Sequence, residues 1–143
     1  MPQKNKKKKT SRVSILMDYD AIKDKVIVEK ILEEAKKRGK IIRSRIYITQ
    51  EELNDSRQAL PEFASLGLEP VITVLAKNVK FAIDLLDDAY SDNIDVIIIS
   101  WKSEDLLPAL IEAKTKKEIV IMLPGKAPKS FYTVADSIIE LEL

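Results

Sequence analysis

The sequence of 143 residues predicts an α/β fold, a three-layer sandwich around a mainly parallel sheet of five or six strands. Short aliphatic runs alternate along the chain with segments whose apolar residues recur at helical spacing. The run at residues 96–99 is apolar at every position, which is typical of a strand buried on both faces. Polar residues follow several of the runs, as expected where parallel strands end at one edge of a sheet.

The first half of the chain predicts three strands and two helices. The strands are expected at residues 13–17, 41–49 and 70–75, and the second alternates, so Arg43, Arg45 and Tyr47 are expected on a polar face. A helix is predicted over residues 24–38, with Gly39 as a C-cap candidate. A second helix is predicted over residues 51–66, with a bend at Pro61.

The second half is organised around residues 92–105, in which the buried strand runs directly into a helix. Ser103 is the expected N-cap of that helix, and its first turn holds acidic residues that favour the helix dipole. The preceding helix, residues 78–90, is expected to turn Val79, Ala82, Ile83 and Leu86 inward. Further strands are predicted at residues 118–123 and, on the sheet edge, at residues 138–143, with a helical turn at 131–135 between them.

Composition excludes several kinds of function. The chain has no cysteine and no histidine, which excludes disulfides, thiolate or histidine zinc sites and a histidine general base. No apolar run approaches the roughly 18 residues of a membrane span. We therefore expect a cytoplasmic location without a membrane partner.

The charge is divided unevenly along the chain. Residues 1–12 hold six of the 24 basic residues and none of the 23 acidic ones, which leaves residues 13–143 with a net charge of −5. We expect residues 1–12 to be a disordered basic tail and residues 13–143 to be one domain. The tail is expected either to attract nucleic acid or to act only as a solvated segment; its candidate RNA-binding residues are Lys6, Lys7, Lys8, Lys9 and Arg12.

Acidic side chains are expected to gather at the carboxyl edge of the sheet. Asp18 and Asp20 follow the first strand, Glu104 follows the central strand, and Asp84 lies within reach on its helix. Converging carboxylates without histidine suit Mg²⁺ or Mn²⁺, although acids at strand ends and first helical turns also serve as ordinary caps. The sequence lacks glycine-rich phosphate loops, and residues 75–78 (LAKN) lack the aspartate that a phospho-receiver domain needs.

Four blocks, in order, resemble the NYN (LabA-like) domains of the PIN-like nuclease superfamily. Residues 14–22 (SILMDYDAI) resemble an opening strand that ends in D-x-x-N, and residues 80–90 (KFAIDLLDDAY) resemble the acidic helix of the family. Residues 97–123 occupy the place of S-G-D-S-D-F, a helix and a strand, and residues 133–141 (TVADSIIEL) resemble the closing A-D-x-F-I-x-L. The resemblance implies a PIN-like fold and metal-dependent RNA cleavage.

Only some of the family's functional residues are present at the matching positions of this sequence. Asp18, Asp84 and Glu104 stand at the catalytic and metal-binding positions, and Asp136 stands at a further metal-binding position. Lys102 replaces a family aspartate, so its ammonium is expected to repel the metal ion or to neutralise the acids. We therefore expect Mg²⁺ or Mn²⁺ to bind weakly or not at all.

Two functions remain open from the sequence. The first is RNA processing or RNA binding at a partly degenerate acidic site, with Lys102 and Trp101 added to the tail residues as RNA contacts. Trp101 is expected either to stack on a base or to pack against the sheet. The second is a catalytically silent scaffold that acts through protein partners or as a homodimer.

Overall fold

The computed structural model describes residues 10–142, and all six of its strands are parallel. The strands are β1 Arg12–Asp18, β2 Lys40–Thr49, β3 Glu69–Thr73, β4 Val96–Ser100, β5 Glu118–Pro124 and β6 Ser137–Leu141. They lie in the order β3-β2-β1-β4-β5-β6, which confirms the predicted parallel α/β fold. Arg12, assigned to the tail from the sequence, is the first residue of β1.

Helices follow the strands along the described chain. They are α1 Tyr19–Ile22, α2 Lys25–Lys36, α3 Gln50–Asp55, α4 Ala59–Ser65, α5 Lys77–Ala89 and α6 Leu107–Lys114, with 3₁₀ turns at Glu104–Leu106 and Lys129–Thr133. No helix within residues 10–142 is long and apolar enough to cross a membrane.

The sheet lies between two helical layers. Ile15 of β1 and Ile98 of β4 are register partners, and both contribute to the core that α2 and α4 cover. Leu16 and Ile99 point to the other face, which α5 and α6 cover. Residues 96–99 of β4 are buried throughout, so the predicted central strand is confirmed.

Two predicted side-chain orientations were wrong, and they share one cause. Arg45 and Tyr47 of β2 lie buried beneath α5 instead of on a polar face. In α5 the buried positions include Phe81, Asp84 and Asp88, whereas Val79 and Ile83, expected inside, are more than half exposed. The helix turns its carboxylates inward because the sheet offers them partners, and a partnered charge can be buried.

Two helix boundaries also differ from the prediction. The expected helix over residues 51–66 is split into α3 and α4, and Pro61 lies in the first turn of α4, where its missing N–H breaks no helical hydrogen bond. Gly39 lies beyond the C-cap of α2, which is Lys37. It is needed for close approach instead, because a Cβ atom there would lie 2.1 Å from the carbonyl oxygen of Ser11.

Candidate functional site

A crevice lies at the point where the strand order of the sheet reverses. β2 and β3 follow on one side of β1, and β4, β5 and β6 follow on the other. In parallel α/β sheets, ligands bind outside the carboxyl ends of the strands at such a point. Here the crevice has a volume of about 410 Å³ and is lined by Asp18, Asp20, Ala21, Glu52, Lys77, Asn78, Lys102 and Ser103.

Lys77 forms ion pairs with two acidic side chains in the crevice. Its Nζ atom lies 2.6 Å from Oδ1 of Asp18 and 2.9 and 3.1 Å from the two carboxylate oxygens of Glu52. Asp18 is the last residue of β1, Glu52 lies in the first turn of α3, and Lys77 is the first residue of α5. The Lys77 side chain is only 12% exposed, so one largely buried ammonium group bridges two carboxylates.

Local caps fix both carboxylates in place. Asp18 is the N-cap of α1 and accepts a hydrogen bond from the backbone N–H of Asp20. Glu52 completes a capping box, in which its side chain accepts from the backbone N–H of Thr49 while the Thr49 hydroxyl accepts from the N–H of Glu52. The acids are therefore oriented by the backbone as well as by Lys77.

The pKa values agree with a charged lysine between acids. Burial lowers the pKa of Lys77, but the hydrogen bonds to Asp18 and Glu52 outweigh burial and raise it overall. Burial raises the pKa of Asp18, and the hydrogen bond from Lys77 opposes that rise. The pKa of Glu52 is lowered, because hydrogen bonds from Lys77 and the Thr49 backbone together exceed the effect of burial. Lys77 thus stays protonated at neutral pH.

Three of the four predicted metal ligands do not line the crevice with Asp18. They are Asp84, Glu104 and Asp136. Asp84 lies on the side of α5 that faces the sheet, where it accepts hydrogen bonds from the Tyr47 hydroxyl at 2.7 Å and from Lys80 at 3.1 Å. Glu104 is exposed and accepts from the Ser130 hydroxyl. Asp136 precedes β6 and accepts from the N–H of Ile119 near the start of β5, so it lies at the opposite, amino edge of the sheet.

The residues of the crevice therefore do not fit a divalent metal ion. Among residues 10–142, no three acidic side chains are close enough to hold one. Mg²⁺ and Mn²⁺ need several oxygen ligands around a free position, and here the ammonium of Lys77 stands between the two nearest carboxylates. The predicted metal site at Asp18, Asp84, Glu104 and Asp136 is therefore not assembled in the structure. Lys77 pairs with Asp18 and Glu52 instead, and the other three acids lie elsewhere.

Lys102 was the wrong choice for the neutralising lysine. It lines the crevice, as predicted, but it is exposed and forms no ion pair with any residue in the described range. The sequence signal for Lys77 was its position four residues after the last residue of β3, at the carboxyl edge. The signal for Glu52 was the Thr-x-x-Glu pattern of residues 49–52, which predicts a capping box.

Trp101 packs against the sheet, which was the second of its two predicted roles. It is 1% exposed and lies against Phe81, with ring centroids 4.1 Å apart, and against Tyr47 at 5.3 Å. Its indole N–H donates to Oδ1 of Asn78, and the amide nitrogen of Asn78 donates to the hydroxyl of Ser103. Base stacking on Trp101 is therefore excluded, but the indole orients one wall of the crevice.

Arg12, predicted as an RNA-binding residue of the tail, is paired with an acidic residue of the domain. Its guanidinium contacts Asp95 at 3.0 and 3.2 Å and donates to the backbone oxygen of Asp92. These hydrogen bonds hold the pKa of Asp95 at about 2, well below its usual value of 3.8. The other tail residues, Lys6, Lys7, Lys8 and Lys9, lie outside the described residues.

The sequence matches a known domain family over nearly the whole chain: the NYN domain matches residues 12–142. The chain belongs to the NYN domain family. The predicted resemblance is thereby confirmed. The resemblance implied a metal ion at this edge of the sheet. In this NYN domain, Lys77 lies between Asp18 and Glu52 instead.

Two further proteins are similar to this chain. An uncharacterized protein of Methanocaldococcus jannaschii is 28% identical over 141 residues, which cover 95% of this chain and 58% of the relative. The chain thus spans about three fifths of the length of this curated relative. A protein of unknown function from Vibrio parahaemolyticus has the same fold, with a TM-score of 0.76, 14% identity and 96% coverage of both chains.

Proposed function

We propose that this NYN domain binds single-stranded RNA at the crevice and does so without a divalent metal ion, with Lys77 in place of the metal. The observation that carries the proposal is the ion pair of Lys77 with Asp18 and Glu52. An acidic crevice repels phosphate, and Lys77 offsets one of the two carboxylate charges and so reduces that repulsion.

The charges around the crevice support this proposal. Asp18 and Glu52 share Lys77, and Asp20 has its own partner in Lys23 at 3.6 Å. Lys102 remains at the rim as an exposed cation that has no carboxylate partner in the described part of the chain. It offers an ammonium donor to a phosphate, and the hydroxyl of Ser103 beside it offers a neutral hydrogen bond.

The five lysines of residues 1–9 add a sequence-independent attraction to the same polyanion. Each phosphate contact by a lysine releases counterions, so binding should weaken steeply with salt. The proposal also places this RNA binding in the cytoplasm. Deleting residues 1–9 should remove most of the salt dependence, while the crevice should supply the remainder.

Fluorescence anisotropy with labelled single-stranded RNA tests the proposal, with each titration run in EDTA and again in Mg²⁺. We expect RNA to bind in EDTA at least as tightly as in Mg²⁺ at matched ionic strength, because Mg²⁺ only competes for the phosphates, and we expect intact RNA afterwards. Lys102→Glu should weaken binding on the order of fivefold or more, because it removes a phosphate contact and adds repulsion. The matched control is Lys36→Glu, an exposed lysine in the last turn of α2.

Two results would contradict the proposal. Cleavage that requires Mg²⁺ and stops in EDTA would make the domain a metal-dependent nuclease. Equal weakening by Lys102→Glu and Lys36→Glu would place RNA somewhere other than the crevice.

A silent scaffold is the second candidate function. The observation that favours it is the large exposed apolar face of α5, which no described element of the chain covers.

A further inference from the structure

Helix α5 has a second apolar face, and this face points to solvent. Ten large apolar side chains are exposed within residues 10–142, and five of them fall between residues 74 and 90. They are Val74, Leu75, Val79, Ile83 and Tyr90, with exposures between 53% and 80%. Singly exposed apolar residues are ordinary, but a concentration in one helix and its flanks marks an interaction surface.

The spacing shows that this face is continuous along α5. Val79, Ile83 and Leu86 lie at i, i+4 and i+7, so they form one stripe along the helix. The buried residues Phe81, Leu85 and Asp88 occupy the opposite side, toward the sheet. Ile111 of the adjacent helix α6 is also 53% exposed and extends the apolar surface sideways.

We infer that this face is a homodimer interface in which α5 packs antiparallel against α5 of a second copy around Ile83. A two-fold interface uses the same patch on both subunits, so the patch must be complementary to itself. The arrangement of charges beside the stripe meets this requirement.

Lys80 and Asp87 lie on one flank of the stripe, at opposite ends. Lys80 precedes Ile83 by three residues and Asp87 follows it by four, and both are exposed. A two-fold axis beside Ile83 exchanges the ends of the helices and keeps the flank, so Lys80 faces the partner's Asp87 twice per dimer. A parallel arrangement would not bring these opposite charges together.

Both groups are available for such a pair. Asp87 has no ion-pair partner within the described chain. Lys80 contacts Asp84 at 3.1 Å through one of its three ammonium protons, and its side chain is 46% exposed. The antiparallel pair also brings Leu75, just before α5, toward the partner's Tyr90, just after it. The apolar contact therefore continues at both ends of the helix.

Sedimentation velocity of the full chain at several concentrations tests this inference, with melting temperatures recorded for every variant. We expect a dimer for the wild type. Ile83→Glu should raise the dimer dissociation constant about thirtyfold or more, since it places two charges at the centre of the interface. Val26→Glu is the matched control, because Val26 is 52% exposed on α2 in the other helical layer and should leave the dimer intact.

A charge exchange then tests the orientation. Asp87→Lys should weaken the dimer, because Lys80 would face a lysine at two places. The double variant that combines Asp87→Lys with Lys80→Glu should recover most of the lost affinity, whereas Glu33→Lys on α2 should have no effect.

Three outcomes would overturn the inference. These are a wild type that is monomeric at every concentration, equal dissociation by Ile83→Glu and Val26→Glu, and a folded double variant that shows no recovery. None of them bears on RNA binding at the crevice, so the two proposals can fail separately.

Discussion

The Nζ atom of Lys77 lies 2.6 Å from Oδ1 of Asp18, and this contact joins the first residue of α5 to the last residue of β1. A buried cation thereby ties a helix to the carboxyl end of the central sheet. The same ammonium also contacts Glu52 of α3, so three elements meet at one charge. This arrangement is tested directly by removing the lysine.

Lys77→Ala should convert the ion pair into a weak site for a divalent cation. Without the ammonium, the Asp18 and Glu52 carboxylates repel each other, which destabilises the variant in EDTA. Millimolar Mn²⁺ should then raise the melting temperature of Lys77→Ala but not that of the wild type, because a ligand that binds only the folded state stabilises it. Thermal melts and Mn²⁺ electron paramagnetic resonance provide the measurements.

Lys102→Ala is the control, since Lys102 contacts neither carboxylate in the described structure. A Mn²⁺ response in the wild type as strong as that in Lys77→Ala would show that the ammonium does not occupy the cation position.

Asp88→Ala should strongly destabilise the fold. Asp88 is 2% exposed, pairs with the buried guanidinium of Arg45 and accepts a hydrogen bond from the Ser14 hydroxyl at 2.6 Å. Removing it leaves Arg45 charged and buried, at a cost of about 3–5 kcal/mol in the free energy of unfolding. Urea denaturation measures this loss. Glu33→Ala, at an exposed position on α2, should stay within about 0.5 kcal/mol of wild type.

The Arg12–Asp95 pair should give an acid-dependent contribution to stability. Two sets of hydrogen bonds from Arg12, by its side chain and its backbone N–H, lower the folded-state pKa of Asp95 to about 2 from 3.8. Because the carboxylate has a lower pKa in the folded state, its charged form stabilises the fold fully at pH values above 3.8. This stabilisation is lost as the pH falls through about 2. The difference in melting temperature between wild type and Asp95→Asn should therefore shrink between pH 4 and pH 2.

A carboxyl-detected NMR titration checks the same pair independently. The Asp95 midpoint should lie at about 2 in the wild type and return toward 3.8 in Arg12→Gln. An unchanged midpoint in Arg12→Gln would mean that another group depresses this pKa.

Ala76→Gly should stabilise the protein although glycine usually destabilises helical segments. Ala76 is the N-cap of α5 and has a left-handed backbone, with φ of 57°. This conformation costs a residue with a Cβ atom about 1–2 kcal/mol, and glycine avoids the cost while gaining freedom when unfolded, so the net gain should be about 0.5–1 kcal/mol. Ala82→Gly within α5 should instead lose about 1 kcal/mol. Urea denaturation of both variants would show the opposite signs.

The fold could be predicted from the sequence because its signals are local. The apolar run of β4 and the pattern after Ser103 each identify an element without knowledge of distant residues. The same approach failed for the faces of α5, since both of its sides are partly apolar and the choice between them depends on Arg45 and Tyr47 of β2. Only the assembled sheet places those partners beneath Asp84 and Asp88.

The sequence placed Asp18 and Lys102 at one edge of the sheet but did not identify the residues that pair with Asp18 there. Asp18 and Lys102 do line the crevice, as the strand ends indicated. Glu52 and Lys77 were not predicted as members because their contact with Asp18 joins three separate elements. The expectation of converging carboxylates also assumed that acids near one edge face one another. Asp84 and Glu104 instead bind nearer donors, the Tyr47 and Ser130 hydroxyls.

Arg12, which Asp95 holds, is the first residue of β1 and lies at the amino end of that strand. β1 has seven residues, and at about 3.3 Å per residue its two ends are roughly 20 Å apart. The crevice lies at the carboxyl end, so residues 1–9 are attached at the end of β1 opposite to the crevice. An RNA that contacts both this attachment point and the crevice spans that distance. We therefore expect affinity to increase at the oligonucleotide length that first covers it.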